Sequence, residues 1–272
     1  MKIVYFHQYF NTPKMSGGTR SFEMSRRLVA SGHEVHIITT DRSRPFARRW
    51  YRTNEHGIQV HWLPVPYNNT MTYFGRIRAF LRYAVNAGLY ADHFEADLVF
   101  ATSTPLTIAL PAIYLAKRQK IPMVFEVRDL WPEVPIAVGA IKGPLILPAQ
   151  WLERIAYRNS ANIIALSPGM KDGIVRNGYV SDRVHVIPNS ADIDMFSVQE
   201  AEGISFRKKY DWLQERPLVV YAGTLGRING VEYLVKLSKK VQSIDSSIRF
   251  LVVGDGREKQ KVKTLAKKLK VF

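Results

Sequence analysis

Short apolar runs alternate with amphipathic stretches along this chain. Lys2–His7 reads as a first strand, and the loop Gln8–Gly18 carries Pro13 and closes on Gly17-Gly18. Thr19 stands where it can cap a helix whose Phe22, Arg26 and Val29 fall near helical spacing and which stops at Gly32. Glu34–Thr40 predicts a second strand, and Gly57–Val65, with Ile58, Val60 and Trp62 alternating, a third. Thr72–Tyr90 reads as a long helix, Asp97–Ala101 as a strand and Leu106–Lys117 as a helix. Strands at Pro122–Val127, Asn162–Leu166 and Val184–Ile187 follow, with helices at Pro144–Arg158 and Met170–Arg176 between them. Strand, helix, strand repeated means an α/β fold: a mostly parallel, doubly wound sheet with helices on both faces.

Ala191–Arg216 is polar and breaks the pattern, which then restarts. Leu218–Ala222 is a strand, residues 231–242 a helix, Ile248–Val253 a strand and Lys259–Lys270 a helix. The expected division is therefore a Rossmann-like domain over 1–195, a linker over 196–216, and over 217–272 the start of a second domain of the same kind. Two strands and two helices are a poor basis for a separate core.

The stretch Pro217–Gly230, PLVVYAGTLGRING, carries the most chemistry. A buried strand runs into Gly223-Thr224-Leu225-Gly226-Arg227 at the mouth of a helix. Glycines admit close backbone approach, a helix start offers free N–H groups, and Arg227 adds a forked cation, so the corner suits a phosphate. The plain alternative is an ordinary β–α turn. Gly254-Asp255-Gly256 poses the same choice. Asp129 lies at the carboxyl end of a central strand, where ligands sit in doubly wound sheets. It is a candidate to contact a bound ligand there. Its alternative role is to cap the turn before Trp131-Pro132, with Arg128 paired to it. Asp192-Ile193-Asp194 reads as loop capping rather than a metal site, and His7, His33 and His36 as structural. There is no cluster with metal-ligand spacing.

Composition narrows the partners. The 272 residues are 46% hydrophobic, carry a formal charge of +16, and include no cysteine. The charge calls for something anionic; the missing thiols fit a reducing cytoplasm. No window approaches the ~20 apolar residues of a transmembrane helix, and MKIVYFHQYF reads as a first strand, not a leader. Cations gather at Asp41–Arg52, at Arg257–Lys270, and on the helix Thr72–Tyr90, where Arg76, Arg78 and Arg82 stand among bulky apolar residues. That last mixture suits a membrane surface, and equally a core-packed helix with a solvated face. Val134–Leu147 is a second candidate membrane-facing loop.

Several motifs together resemble the retaining glycosyltransferases of family 4, which have the GT-B fold. They are Gly17-Gly18 with Arg20, Gly32-His33-Glu34-Val35, Asp97-Leu98-Val99, the run Glu126–Glu133 (EVRDLWPE), the run Val186–Asp192 with Phe196, Tyr221–Arg227 (YAGTLGR), and Val252–Gly256. The RDLWPE variant is similar to amino-sugar transferases of bacterial surface polysaccharide assembly, of the L-fucosamine type. The resemblance implies transfer of a sugar from a nucleotide-diphosphate sugar to a lipid-linked acceptor, without a metal or other cofactor. The first domain would take the acceptor, with Asp129 as the catalytic candidate that contacts the reacting sugar or the acceptor hydroxyl, and the second the donor, through Gly223, Thr224, Arg227 and Gly254, with Gly17 and Gly18 closing on it. It further implies a cytoplasmic enzyme, peripheral at the anionic inner face of the plasma membrane, with no nucleic-acid partner. Two departures stand out. Asn229 occupies the place of a second diphosphate-binding cation. A later acidic pair on a helix lies beyond Phe272, so the chain reads as truncated and weak or inactive alone. A nucleotide-sugar epimerase on the same architecture and a basic binding module are the other readings of these features.

Overall fold

The computed structural model describes every residue except 16, 43–48, 68–70, 134, 135, 137, 138, 140–142 and 192. Asp192 of the D-x-D, Arg44 and Arg48 of the first basic stretch, and residues 134, 135, 137, 138 and 140–142 of the candidate membrane-facing loop Val134–Leu147 thus lie outside the described residues. The chain divides into two units, Met1–Ser190 and Ala191–Phe272.

Unit 1 holds one eight-stranded sheet. Its strands are β1 Lys2–Phe6, β2 Glu34–Asp41, β3 Tyr51–Glu55, β4 Ile58–Pro64, β5 Leu98–Thr102, β6 Met123–Val127, β7 Asn162–Ala165 and β8 Val184–Val186. They lie in the order β3-β4-β2-β1-β5-β6-β7-β8. All neighbours are parallel except β3 and β4. The helices are α1 Arg20–Ala30, α2 Tyr73–Ala91, α3 Ala109–Gln119, α4 Ile146–Arg158 and α5 Pro168–Arg176. On one face of the sheet, Val4, Phe6, Val99, Ala101 and Phe125 pack with Tyr83, Ala112 and Tyr157 of α2, α3 and α4. Ile3, Tyr5, Val35 and Ile37 point the other way and pack with Phe22 of α1. This is the alternation a strand covered on both faces requires.

β3 is the element that the apolar pattern did not announce. Its sequence, YRTNE, is polar and lies on the sheet edge. It is joined to β4 by His56-Gly57, both with positive φ (55° and 84°), a pair of angles that matches the twist of a tight hairpin. The Trp62 indole N–H donates to Thr53 Oγ1 at 2.9 Å across that pair. A second difference concerns Thr19, whose side chain makes no cap bond to α1. The caps are Thr72 on α2 and Ser167 on α5, which accept from Gly75 and Met170 N–H at 3.2 Å each.

Unit 2 contains β9 Leu218–Ala222 paired in parallel with β10 Arg249–Val253. With them are α6 Glu200–Lys208, α7 Glu232–Gln242 and α8 Lys259–Lys268. Leu225, Val231, Val235, Val262 and Ala266 form its small core. No residue of β9 or β10 is fully buried. The stretch expected as a linker over 196–216 falls in this unit and carries α6. It is laced down by Arg207, which donates to the Gln214 and Arg216 carbonyls at 2.9 Å, and by Arg249, which donates to the Trp212 carbonyl at 3.1 Å.

Candidate active site

The order of strands in unit 1 reverses between β1 and β5, and ligands of such sheets lie outside the carboxyl ends at this point. A cavity of about 360 Å³ opens there. The loop after β1 contributes His7, Tyr9, Asn11 and Gly18, and the loop after β5 contributes Ser103 and Thr104. Arg128 and Asp129 follow β6.

A buried polar network holds this end of the sheet. Arg20, the first residue of α1, donates from Nε to Glu126 Oε1 at 2.8 Å. Thr102 donates to the other carboxylate oxygen at 2.8 Å. The Tyr5 hydroxyl is hydrogen-bonded to Thr102 at 2.7 Å and to Ser21 at 3.1 Å. Burial pushes the Tyr5 phenol well up, and Glu126 pushes it further. The remaining arms of Arg20 donate to the Pro188 and Ile187 carbonyls at 2.7 and 2.9 Å. One guanidinium thus ties the glycine loop, the β6 acid and the segment after β8 together.

Around the cavity, Ser103 Oγ accepts from the Arg128 N–H at 2.9 Å. Thr104 holds φ at 91°, in the left-handed half of backbone space. Its hydroxyl reaches Asp129 Oδ2 at 3.4 Å. Asp129 is exposed, and among the described residues it forms no ion pair with Arg128. Gly17 has φ 134°, and a Cβ there meets Asn11 Nδ2 at 2.5 Å. Asn11 in turn accepts from Arg42 at 2.7 Å. A Cβ at Gly18 meets nothing within 4 Å, so that glycine faces open space. Of the histidines expected to be structural, His36 bonds Glu34 at 2.7 Å and His61 at 3.0 Å, within the sheet. His7 instead lines the cavity. Burial, then Arg128 and Arg42, push it down to about 3, so its ring is neutral.

In unit 2 the loops after β9 and β10 run side by side. Gly223 N–H donates to the Val253 carbonyl and Leu225 N–H to the Asp255 carbonyl, both at 2.9 Å. A Cβ on Gly254 falls 1.9 Å from the Gly223 carbonyl oxygen, so this glycine serves loop packing whatever else it does. The Tyr221 hydroxyl donates to the Thr224 carbonyl at 2.9 Å and folds the loop back on its strand. Gly223, Thr224 and Arg227 are all exposed at this corner. Arg227 opens a short 3-10 turn, Arg227–Asn229, and has no hydrogen bond or ion pair among the described residues.

On α2 the three expected arginines part company. Arg78 and Arg82 are exposed, with Phe74, Leu81, Val85 and Leu89. Arg76 is half-buried with its Nε enclosed, and it acts on the Tyr9 hydroxyl. It does not share the outer face. No helix among the described residues is long and apolar enough to cross a membrane.

Residues 17–190 match the glycosyl transferase 4-like domain, and residues 204–271 match the glycosyl transferases group 1 domain. The first match spans more than half of the chain, which belongs to the glycosyl transferase 4-like family. It is 23% identical to the putative colanic acid biosynthesis glycosyl transferase WcaI of Escherichia coli K12, over 98% of this chain and 69% of that protein. It is 31% identical to the alpha-D-kanosaminyltransferase of Streptomyces kanamyceticus, over 40% of this chain and 28% of that one. Among solved structures it is similar to Anabaena Alr3699/HepE, determined with UDP and glucose (TM-score 0.66, 15% identity, 100% of this chain and 67% of that one). It is also similar to sucrose-phosphate synthase of Thermosynechococcus elongatus (TM-score 0.71, 13% identity, 99% and 68%). These neighbours are GT-B glycosyltransferases and give this glycosyltransferase the same fold.

Of the residues expected from the sequence, the structure brings Gly18, assigned to the donor, and Asp129, the catalytic candidate, to one cavity of unit 1, and Gly223, Thr224, Arg227 and Gly254 to one corner of unit 2. The sequence alone marks His7, which lines the cavity, as structural, and passes over Ser103 and Thr104. A histidine at the end of an apolar run was the available signal for the first of these.

Proposed function

We propose that this glycosyltransferase moves a hexosyl or amino-sugar unit from a nucleoside-diphosphate sugar to a lipid-linked acceptor, with retention at the anomeric carbon. The place of work is the assembly of a bacterial surface polysaccharide, at the anionic cytoplasmic face of the membrane. The observation that carries the reading is the exposed Gly223–Arg227 corner, whose one guanidinium has no protein partner among the described residues. Breaking the donor bond leaves extra charge on the diphosphate. Backbone N–H groups and Arg227 meet that charge where a metal ion does so in other transferases. Asn229, in place of a second cation, leaves Arg227 as the principal charge at this corner. Asp129, at the unit 1 cavity, orients the acceptor hydroxyl. UDP in the HepE structure and the likeness to WcaI, a putative colanic acid biosynthesis glycosyl transferase, support the donor and the setting.

Calorimetric titration with UDP and UDP-sugars tests the donor half. Saturable binding is expected, weakened about tenfold or more in Arg227→Ala, as the loss of a charged hydrogen bond of about 1.5–3 kcal/mol requires. Unchanged affinity in a folded Arg227→Ala protein refutes the role. Incubation with vesicles carrying a lipid-diphosphate sugar, followed by NMR of the anomeric proton, tests acceptor and retention.

A further inference from the structure

His7 directly follows β1, the strand at which the sheet order turns back. Its backbone is fixed: the His7 N–H donates to the Ile38 carbonyl at 3.2 Å. The next carbonyl, of Gln8, accepts from the hydroxyls of Thr39 and Thr40 at 3.1 and 2.6 Å. The ring stacks on Tyr5, 6.4 Å between centroids, and is only 7% exposed. That exposed edge is part of the cavity wall. Its Nδ1 is enclosed and has no hydrogen-bond partner. Buried polar atoms in proteins are nearly always bonded. The other ring nitrogen, Nε2, is neither enclosed nor hydrogen-bonded among the described residues, and it is the one a ligand in the cavity reaches.

The chemistry of the wall narrows the choice of ligand. The two nitrogens of an imidazole face different edges, so a ligand in the cavity meets one of them, and a hydroxyl can answer it as donor or as acceptor whichever tautomer is present. A phosphate answers it only where that nitrogen carries the proton. The neighbours are similarly mixed: the Asn11 and Asn189 amides, the Ser103 and Thr104 hydroxyls and the Asp129 carboxylate, with Arg128 the single cation among the lining residues. The cavity volume falls within the range of small-molecule sites.

We propose that His7 is a specificity-determining residue whose ring hydrogen-bonds a hydroxyl of a sugar seated in the unit 1 cavity. The identity of the ligand rests on the glycosyltransferase reading above. Such a hydroxyl can belong to the acceptor or to the sugar of the donor, and the arms of the test separate them.

The test uses the 272-residue protein labelled uniformly with ¹⁵N, so that both ring and amide nitrogens are read, the His7 ring signals being assigned with His7→Gln. D-glucose, D-galactose, N-acetyl-D-glucosamine and L-fucose are titrated singly, then UDP-glucose, then UDP alone. At least one sugar-bearing ligand should move the His7 ring nitrogens and the Ser103 and Thr104 amides saturably, and UDP alone should leave them in place. A response to free sugars assigns an acceptor role, and a response to UDP-glucose alone assigns the donor sugar. His7→Phe should weaken that ligand tenfold or more, whereas His7→Gln, which keeps a donor and an acceptor, should lose less than threefold. The ring signals of the unaltered protein decide the matter even if His7→Phe fails to fold. Two results overturn the assignment: cavity amides that respond while the His7 ring does not, or no response of the cavity to any sugar. In either case saturable UDP binding that depends on Arg227 leaves the glycosyltransferase reading intact, and its absence removes that reading as well.

Discussion

Arg20 Nε lies 2.8 Å from Glu126 Oε1, and the glutamate side chain has no exposed surface. Removing one partner of such a pair strands a charge in the interior, which costs about 3–5 kcal/mol. Arg20→Ala should therefore lose stability on this scale in denaturant unfolding. Arg20→Lys keeps the charge but not the fork that also holds the Ile187 and Pro188 carbonyls, so it should recover only part of the loss. If Arg20→Ala unfolds at the parent's midpoint, the network is dispensable.

The glycines divide into two kinds, and the division is testable. Gly254→Ala drives a Cβ to within 1.9 Å of the Gly223 oxygen, backbone against backbone. The two loops cannot both stay, and overpacking of this kind costs about 1–3 kcal/mol. Faster hydrogen exchange at Leu225 and Gly223, which donate across the loops, is the expected sign. Gly18→Ala meets nothing and should change stability by less than about 0.5 kcal/mol. Any loss of ligand binding in Gly18→Ala is then a matter of access, not of fold.

How much of this was legible in the sequence follows from what each feature is made of. The parallel strands are runs of β-branched and apolar residues buried on both faces, so β1, β2, β5 and β6 stand out. β3 does not, because an edge strand with a polar sequence has no such pattern; only His56-Gly57 hints at its hairpin. The glycine corners were visible as motifs, yet sequence does not separate a glycine that faces open space (Gly18) from one that another loop approaches (Gly254). Arg76 was assigned with Arg78 and Arg82 because helical spacing left its face open. Its partner region around Tyr9 is remote in sequence. The place of His7 was hidden by the same remoteness: the cavity it lines exists only once the loops after β5 and β6 stand near the loop after β1.

Glu153 on α4 sets an unusual pH dependence. It is buried, accepts from the Tyr157 hydroxyl at 2.9 Å and from the Asn177 amide at 3.2 Å, and is pushed up to about 7 from 4.5, chiefly by burial and further by Glu133. A carboxyl raised in the folded state contributes stability that is complete below its unfolded value of 4.5 and is lost as pH rises through about 7. At about 1.36 kcal/mol per unit this amounts to about 3 kcal/mol at most. His7 and His61 work in reverse: lowered from 6.5 to about 3 and about 4, chiefly by burial, they contribute above pH 6.5 and fail as pH falls. Glu153→Gln, which still accepts both hydrogen bonds, should be more stable than the parent at pH 8 by about 1–3 kcal/mol. It should gain little at pH 4.5. Thermal melts across that range check it; equal gains at both ends exclude titration of Glu153 as the cause.

The outer face of α2 tests the membrane reading. Phe74 is 83% exposed, Val85 and Leu89 60% each, and Leu81 46%, with Arg78 and Arg82 beside them. α2, α3 and α4 cover the same face of the sheet, and α3 adds exposed Leu110 and Tyr114, while α4 adds exposed Leu147 and Trp151. Apolar side chains rimmed by cations suit a headgroup boundary, where each Lys or Arg contributes about 1 kcal/mol of attraction to anionic lipid. Salt screens that attraction but not apolar insertion. The protein should therefore co-sediment with vesicles containing phosphatidylserine or phosphatidylglycerol, bind phosphatidylcholine poorly, and be released only in part at 1 M salt. Arg78→Glu with Arg82→Glu should remove the preference for anionic lipid. Arg76 is left unchanged in that test, because its enclosed Nε makes it a packing residue. Leu81, Val85 and Leu89 changed together to Gln should remove the part that survives salt, without loss of the fold, since none of the three is buried. A double glutamate variant that sediments like the parent makes this face an ordinary solvated helix surface and returns the protein's charge to some other anionic partner.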